Sequence, residues 1–178
     1  MERVGLTAWA ALEYGDRAAA LIGAFKDGGR TDVAPVLAHA LAASIRSALR
    51  EAGTCAVGLE VITVPSTPAA HRARGYRPVP LLLRRCGIRG APVLALARER
   101  EDQAGLGADE RRANAYGALR ARGDLRGRRF LLVDDVLTTG STLREARRAV
   151  DAAGGEIAAI AVLAQTPLRS GGRSGSSR

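Results

Sequence analysis

Residues 130–142 read FLLVDDVLTTGST, and this stretch decides the fold of the chain. An apolar run typical of a buried strand leads into two acids, a loop of small hydroxyl residues around Gly140, and helix-forming residues from Leu143 onward. In such a strand–turn–helix unit, unpaired backbone N–H groups converge at the helix N-terminus, where the helix dipole also favours an anion. The stretch therefore predicts a phosphate site.

Asp134 and Asp135 stand next to this predicted site and would repel a bare phosphate. Carboxylates accept hydrogen bonds from a sugar diol and also bind divalent cations, so either partner would justify two adjacent acids. A phosphorylated sugar offers a diol to the acids and a phosphate to the hydroxyl side chains that follow, which belong to Thr138, Thr139, Ser141 and Thr142. No G-x-x-x-x-G-K-[ST] and no early G-x-G-x-x-G occurs, which argues against a nucleoside triphosphatase or a dinucleotide-binding fold.

Helix and strand patterns alternate along the rest of the chain. Helical spacing marks 16–26, 32–51, 78–86 and 141–153, and short apolar runs mark strands at 59–64, 92–96, 129–133 and 157–163. The alternation predicts an α/β fold with a mostly parallel central sheet flanked by helices, with ligands at the carboxyl ends of the strands. We expect one domain over residues 1–168 and a disordered Ser/Gly/Arg tail over 169–178.

The chain is strongly basic. Its 178 residues include 26 arginines and one lysine, Lys26, which give a formal net charge of +9. Such a field attracts polyphosphates and nucleic acids alike. Aromatic residues are only 3% and are not interleaved with the arginines, so stacking platforms for single-stranded DNA are missing and we expect such binding to be weak at most.

Other features of the composition favour a cytoplasmic protein with no membrane partner. No apolar run approaches the roughly 18 residues of a membrane span, and Met1-Glu2-Arg3 does not begin a signal-peptide pattern. Cys55 and Cys86 are far apart and form no C-x-x-C pair, so neither a disulfide framework nor a structural zinc site is indicated.

The order of residues 133–142 resembles the signature V-D-D-V-x-T-T-G-x-T of the type I phosphoribosyltransferases, which bind 5-phosphoribosyl 1-pyrophosphate (PRPP). The resemblance implies that Asp134 and Asp135 hold the ribose hydroxyls and serve catalysis. It also implies Mg²⁺ as cofactor, carried by PRPP and reached by Asp134 or Asp135 only through water. The 5′-phosphate would be held by Thr138, Thr139, Gly140, Ser141 and Thr142.

A second loop resembles the pyrophosphate loop of the same family. It reads Val64-Pro65-Ser66-Thr67 and precedes the basic stretch Arg72-Ala73-Arg74-Gly75-Tyr76. Small residues let the backbone approach an anion, and a nearby guanidinium group neutralises it. We therefore expect pyrophosphate contacts from Pro65, Ser66, Thr67 and Arg74.

The pattern V-P-x-x followed by R-x-R-G-[FY] resembles the ComF-type competence phosphoribosyltransferase-like proteins. Residues 21–30 resemble their N-terminal helix and 98–118 their flexible loop, so that the similarity covers roughly residues 12–165. Two departures stand out. The cysteine-rich zinc module that often precedes this domain is absent, and Arg77-Pro78 replaces the usual Asn-Gln.

The charged, glycine-containing stretch 98–113 is expected to be a mobile loop that closes over PRPP and brings Arg98, as a catalytic residue, and Gln103 toward the pyrophosphate. The favoured function is transfer of phosphoribose to an acceptor, a nucleobase or an amine, with release of pyrophosphate, by a homodimer. The acceptor is not readable, because the hood segment, residues 1–30 and 167 onward, shows no base-binding pattern. The alternative is a non-catalytic PRPP-binding protein or an accessory protein of competence and DNA uptake.

Overall fold

The computed structural model describes residues 2–3, 6–53, 57–97 and 116–167. Eight strands are present in these ranges: β1 (Glu2–Arg3), β2 (Leu6–Thr7), β3 (Trp9–Glu13), β4 (Leu59–Thr63), β5 (Leu94–Leu96), β6 (Leu119–Ala121), β7 (Arg129–Leu137) and β8 (Glu156–Gln165). The helices are α1 (Asp16–Lys26), α2 (Ala34–Glu51) after a 3₁₀ turn at Thr31–Val33, α3 (Pro68–Arg74), α4 (Pro78–Arg85) and α5 (Ser141–Asp151).

The central sheet has four strands in the order β3-β8-β7-β4, and every neighbouring pair is parallel. Parallel strands are buried on both faces, which explains why β7 and β8 read as continuous apolar runs. Phe130 and Leu132 of β7 pack on one face with residues of α5, whereas Leu131 and Val133 pack on the other with α2 and α4. The predicted α/β fold with a parallel sheet between helices is confirmed.

Two short antiparallel pairs lie outside this sheet. Strand β1 pairs with β2, and β5 pairs with β6. The predicted strand at 92–96 therefore exists, but it does not join the central sheet as the expected alternation implied. Its partner β6 is only three residues long and gives too short a pattern to recognise in the sequence.

Three boundaries differ from the sequence prediction. Strand β7 does not end at Val133 but continues to Leu137, so both acids lie within the strand. Residues 9–13, expected in the hood, form edge strand β3 of the central sheet beside β8. Residues 68–74, where the sequence predicted no helix, form helix α3, because Pro68 fits the first turn and the Thr67 hydroxyl accepts a hydrogen bond from the Ala70 amide.

The expected mobile loop at 98–113 and the tail at 169–178 lie outside the described residues. Within the described ranges, none of the helices has the length and apolar character needed to cross a membrane.

Candidate functional site

Asp134 and Asp135 lie near the carboxyl end of β7, where β7 pairs with β8. Each acid accepts a hydrogen bond from the next backbone amide: the Asp135 amide donates to Asp134 Oδ1 at 2.9 Å and the Val136 amide to Asp135 Oδ1 at 2.7 Å. Both acids are half-buried. These contacts hold one oxygen of each carboxylate, and the alternation of side chains along a strand places the two acids on opposite sides of β7.

The two acids differ in their contact with Lys26. Lys26, the last residue of α1, places its Nζ 2.8 Å from Asp135 Oδ2. Among the described residues Asp134 forms no ion pair, and burial together with the charge of Asp135 raises its pKa to about 7, although the Asp135 amide and Lys26 act in the opposite direction. Near neutral pH, Asp134 can therefore both donate and accept a hydrogen bond.

The loop that the sequence predicts to bind phosphate, which we call the phosphate loop, follows directly between β7 and α5. Gly140 is buried and has φ of +75°, a left-handed conformation that side chains rarely adopt. A Cβ placed there would lie 3.4 Å from Leu137 Cδ1. Thr139 Oγ1 lies 2.8 Å from Ser141 Oγ, so the two hydroxyls are held together at the start of the helix. The loop thus brings the helix N-terminus and paired hydroxyls to one point, as an anion site requires.

Arg144 adds a cation that sequence reasoning missed. Its Nη1 is buried without a hydrogen-bond partner in the described part of the chain, and it lies 3.7 Å from the position that a Cβ of Gly140 would occupy. A buried N–H donor of a charged group is costly unless it is bonded, so an anion in the loop would supply its missing acceptor. The signal was present in the sequence: arginine in the first turn of a helix opposes the helix dipole and needs a reason.

The second predicted loop meets the first across a small, half-open cleft. The cleft is lined by Val64, Pro65, Thr67, Leu96, Ala118, Leu119, Thr142 and Glu145. Pro65 and Thr67 are thus brought together with Thr142, and Ser66 lies between them in the chain. Arg74 pairs with Asp27: its guanidinium group donates to Asp27 Oδ1 at 3.0 and 3.2 Å. Arg98 and Gln103 lie outside the described residues.

Glu145 forms one wall of this cleft and fixes the position of β6. Its side chain is only 5% exposed, and Oε1 accepts a hydrogen bond from the Leu119 amide at 3.0 Å. Arg148 donates both to Glu145, at 2.8 Å, and to the Leu119 carbonyl, at 2.9 Å. Burial raises the pKa of Glu145, but the hydrogen bonds from Arg148 and from the amides of Leu119 and Gly117 outweigh it, and the pKa is lowered overall. Helix α5 and the start of β6 therefore hold together as a unit.

The donor set for a metal is small. Among the described residues, no group of three or more His, Cys, Asp or Glu side chains could hold a metal ion. Two adjacent carboxylates nevertheless fit a hydrated Mg²⁺ that takes its other oxygen ligands from a phosphorylated substrate, since Mg²⁺ usually keeps several waters and uses one or two carboxylates. Asp134 and Asp135 are the residues that could reach such an ion.

Comparison with known proteins gives the family. The model of the phosphoribosyl transferase domain matches residues 73–173. An adenine phosphoribosyltransferase from Kineococcus radiotolerans is 40% identical over 151 residues, which are 80% of this chain and 73% of that protein. An orotate phosphoribosyltransferase from Methanopyrus kandleri is 38% identical over 70 residues, 39% of this chain and 32% of that protein.

Among solved structures, adenine phosphoribosyltransferase from Leishmania tarentolae is similar with a TM-score of 0.37 and 14% identity, over 71% of each chain. The match of the family model to more than half of the chain and the 40% identity to an enzyme covered over 73% of its length confirm the predicted enzyme class. The chain belongs to the phosphoribosyltransferase family.

Proposed function

We propose that the protein binds PRPP with Mg²⁺ and transfers phosphoribose to an acceptor, releasing pyrophosphate. The observation that carries the proposal is the juxtaposition at the end of β7: two adjacent carboxylates, one of them paired with Lys26, are followed within three residues by a hydroxyl-lined loop over a buried glycine. A phosphate without a sugar would not use the acids, and a sugar without a phosphate would not use the loop.

The residues would act by holding the substrate rather than by attacking it. Asp134 and Asp135 bind the ribose hydroxyls, and the backbone amides and hydroxyls of Thr138–Thr142 bind the 5′-phosphate. With both ends fixed, the anomeric carbon is held in place while its bond to pyrophosphate breaks and its bond to the acceptor nitrogen forms. Bound Mg²⁺ would neutralise the charge that develops on the pyrophosphate. No covalent nucleophile of the protein is needed.

The pyrophosphate itself is assigned to the second loop. Pro65, Ser66 and Thr67 follow β4, the strand beside β7, and Pro65 and Thr67 line the cleft that also contains Thr142. Carboxyl ends of neighbouring parallel strands lie at the same edge of a sheet, so one PRPP molecule can contact both loops. Arg74 and Arg98 stay predicted contacts, since Arg74 is paired with Asp27 and Arg98 is not among the described residues.

The experiment has two steps. Calorimetric titration of the protein with PRPP in the presence of Mg²⁺ tests binding, and a pyrophosphate-release assay then screens acceptors. Adenine and orotate come first, because the relatives named above are adenine and orotate phosphoribosyltransferases, and other nucleobases and amines follow. Binding of PRPP with pyrophosphate release supports the proposal, and a protein that does not bind PRPP overturns it.

Membership of the ComF-type group is a second part of the proposal. The segments that carry this resemblance contact each other: the Tyr76 hydroxyl donates to the Phe25 carbonyl, and Arg74 pairs with Asp27. This contact supports a shared architecture of the N-terminal helix and the R-x-R-G-[FY] segment. A ComF-type protein could also retain PRPP binding without turnover. Tight PRPP binding with no pyrophosphate release for any acceptor would favour that alternative.

Weak binding of single-stranded DNA, a homodimer and a cytoplasmic location stay predictions. The net charge of +9 motivates the first. A DNA affinity that falls steeply between low and physiological salt would indicate only non-specific attraction to phosphates. Light scattering on the purified protein would test the homodimer.

A further inference from the structure

The single lysine of the chain lies at the candidate site. All 26 other basic side chains, apart from the two histidines, are arginines, yet the residue 2.8 Å from Asp135 is Lys26. An ammonium is a compact point charge with three donors, whereas a guanidinium is a planar fork that covers both oxygens of a carboxylate. A lysine in a chain so strongly biased toward arginine suggests that the smaller group is needed there.

The backbone on both sides of Lys26 is already anchored without the ion pair. Phe25 is buried, its ring packs 5.5 Å from that of Tyr76, and its carbonyl accepts the Tyr76 hydroxyl. Asp27 binds Arg74, and its amide donates to the Gly23 carbonyl at 2.8 Å. The contacts of Phe25 and Asp27 thus hold the end of α1 against the end of α3 and the segment that follows it. The Lys26–Asp135 pair is not required to attach this helix, which leaves another role for it.

The pair is also open on one side. The Lys26 side chain is 27% exposed and that of Asp135 is 17% exposed. Asp135 Oδ1 is used by the Val136 amide, so Oδ2 is the oxygen toward which a ligand hydroxyl would be directed, and Nζ of Lys26 lies beside it. A hydroxyl group is both a donor and an acceptor, and it can be bound between a carboxylate and an ammonium at the same time.

We propose that Lys26 is a sugar-binding residue supplied by the N-terminal helix: its ammonium donates to the oxygen of a ribose hydroxyl whose proton is accepted by Asp135. This inference rests on the proposed function, because it requires the diol of a phosphorylated ribose at the acids. Lys26 then contacts the substrate directly, so α1 contributes a side chain to the part of the site that binds phosphoribose.

The test uses two probes that separate the halves of the site. Ribose 5-phosphate needs the acids and the loop, whereas inorganic phosphate needs only the loop. Calorimetric affinities for both are measured on the wild type and on Lys26→Met, Lys26→Arg and Arg30→Met. Arg30 is a matched control, since it lies four residues away in an exposed pair with Asp32 and its loss removes the same charge without touching the acids.

We expect Lys26→Met to weaken ribose 5-phosphate binding by roughly tenfold or more, the scale of one charge-assisted hydrogen bond, with the phosphate affinity unchanged. Lys26→Arg should also weaken ribose 5-phosphate binding, because its fork would cover Asp135 and exclude the hydroxyl. Arg30→Met should match the wild type for both probes.

Two outcomes would overturn the inference alone. Wild-type affinity of Lys26→Arg for ribose 5-phosphate would show that Lys26 only forms an ion pair, and equal losses for the two probes in Lys26→Met would show a general effect of charge or folding. A wild-type protein that binds inorganic phosphate but neither ribose 5-phosphate nor PRPP would instead overturn the proposed function, and the inference with it.

Discussion

Asp134 is the residue at which function and stability conflict most. It is half-buried beside a second carboxylate, and its nearest cation, Lys26, contacts Asp135 instead. With a pKa of about 7 against an ordinary value of 3.8, the folded protein holds a proton there that the unfolded chain releases. A residue whose raised pKa lowers the unfolding free energy near neutral pH is typically retained for ligand binding rather than for stability.

The first prediction concerns how the raised pKa of Asp134 makes the unfolding free energy depend on pH. A carboxyl whose pKa is raised by folding contributes most to stability below its unfolded pKa, and the contribution is lost as pH rises through the folded pKa. Asp134→Asn does not titrate, so its stability relative to the wild type should increase between pH 4 and about pH 7. Because the side chain is only half-buried, we expect a gain of about 1 kcal/mol at pH 8, or ~2–4 °C in Tm.

Thermal unfolding of the two proteins from pH 4 to 8 measures this difference. Asp135→Asn is the companion variant: it removes one cause of the raised pKa of Asp134 but leaves Lys26 without its partner, so its stability relative to the wild type should increase less with pH than that of Asp134→Asn. A stability difference between Asp134→Asn and the wild type that does not change with pH would contradict the assignment of the raised pKa to Asp134.

The second prediction concerns substitutions of Gly140 and Thr139 in the phosphate loop. Gly140→Val should weaken phosphate binding far more than Thr139→Ala, because valine at φ of +75° is strained and would crowd Leu137 and Arg144, whereas one lost hydroxyl costs roughly 1–3 kcal/mol. Titration with ribose 5-phosphate measures both, with circular dichroism as a check of folding. Normal binding by a folded Gly140→Val protein would place the phosphate elsewhere.

At the scale of secondary structure, helix α5 connects the phosphate loop at its start to β6 through one buried pair. Glu145 and Arg148 satisfy both the amide and the carbonyl of Leu119, which a neighbouring strand would otherwise do. Arg148 also packs over the ring of Tyr116, 5.3 Å from its centroid. The wall of the cleft at β6 therefore depends on side chains of α5.

The third prediction follows from this dependence. Glu145→Ala leaves the Leu119 amide without its buried acceptor and Arg148 with only the Leu119 carbonyl, and we expect a loss of about 2–3 kcal/mol in unfolding free energy. Arg126→Ala, which removes an exposed pair with Asp124, should cost less than about 1 kcal/mol. Urea unfolding compares the two variants, and equal losses would show that the Glu145 pair behaves as a surface ion pair.

The sequence predicted local features of the site and missed those that depend on tertiary contacts. The order of residues 130–142 specifies the strand, loop and helix by itself, because turn chemistry and helix capping act over a few residues. Lys26 and Asp135 are more than 100 positions apart, and nothing in the local pattern of α1 shows which way its last side chain points. Arg144 was read simply as part of a helix.

The placement of strands β5 and β3 also depends on tertiary contacts, which the local sequence pattern does not show. A three-residue strand such as β5 gives the same apolar pattern whether it joins the central sheet or forms a separate pair, so its membership is decided by packing. Strand β3, Trp9–Glu13, is rich in alanine and carries no strand signal of its own. It is a strand because β8 offers a parallel edge to pair with.

At the scale of the whole molecule, ligand binding and folding are linked. The acids, the phosphate loop and the second loop come from strands β4 and β7, and Lys26 comes from the helix after β3, so the proposed site draws on most of the sheet. A ligand that bridges these parts binds the folded protein and not the unfolded chain. It must therefore stabilise the fold in proportion to its affinity and concentration.

The last prediction uses this linkage to test the acids and the fold together. At a PRPP concentration about 100 times the dissociation constant, with Mg²⁺ present, stabilisation should be about 2.7 kcal/mol, which corresponds to roughly 5–10 °C in Tm for a chain of this length. The double variant with Asp134→Asn and Asp135→Asn should remain folded and show no shift with PRPP, because the ribose hydroxyls lose their charged acceptors and meet amide groups that also donate. Differential scanning fluorimetry gives both values, and Mg²⁺ without PRPP is the blank for each protein. An equal shift in Tm for the double variant would show that PRPP binds without the acids. That result would contradict the assignment of Asp134 and Asp135 to the ribose hydroxyls but would leave the fold unaffected.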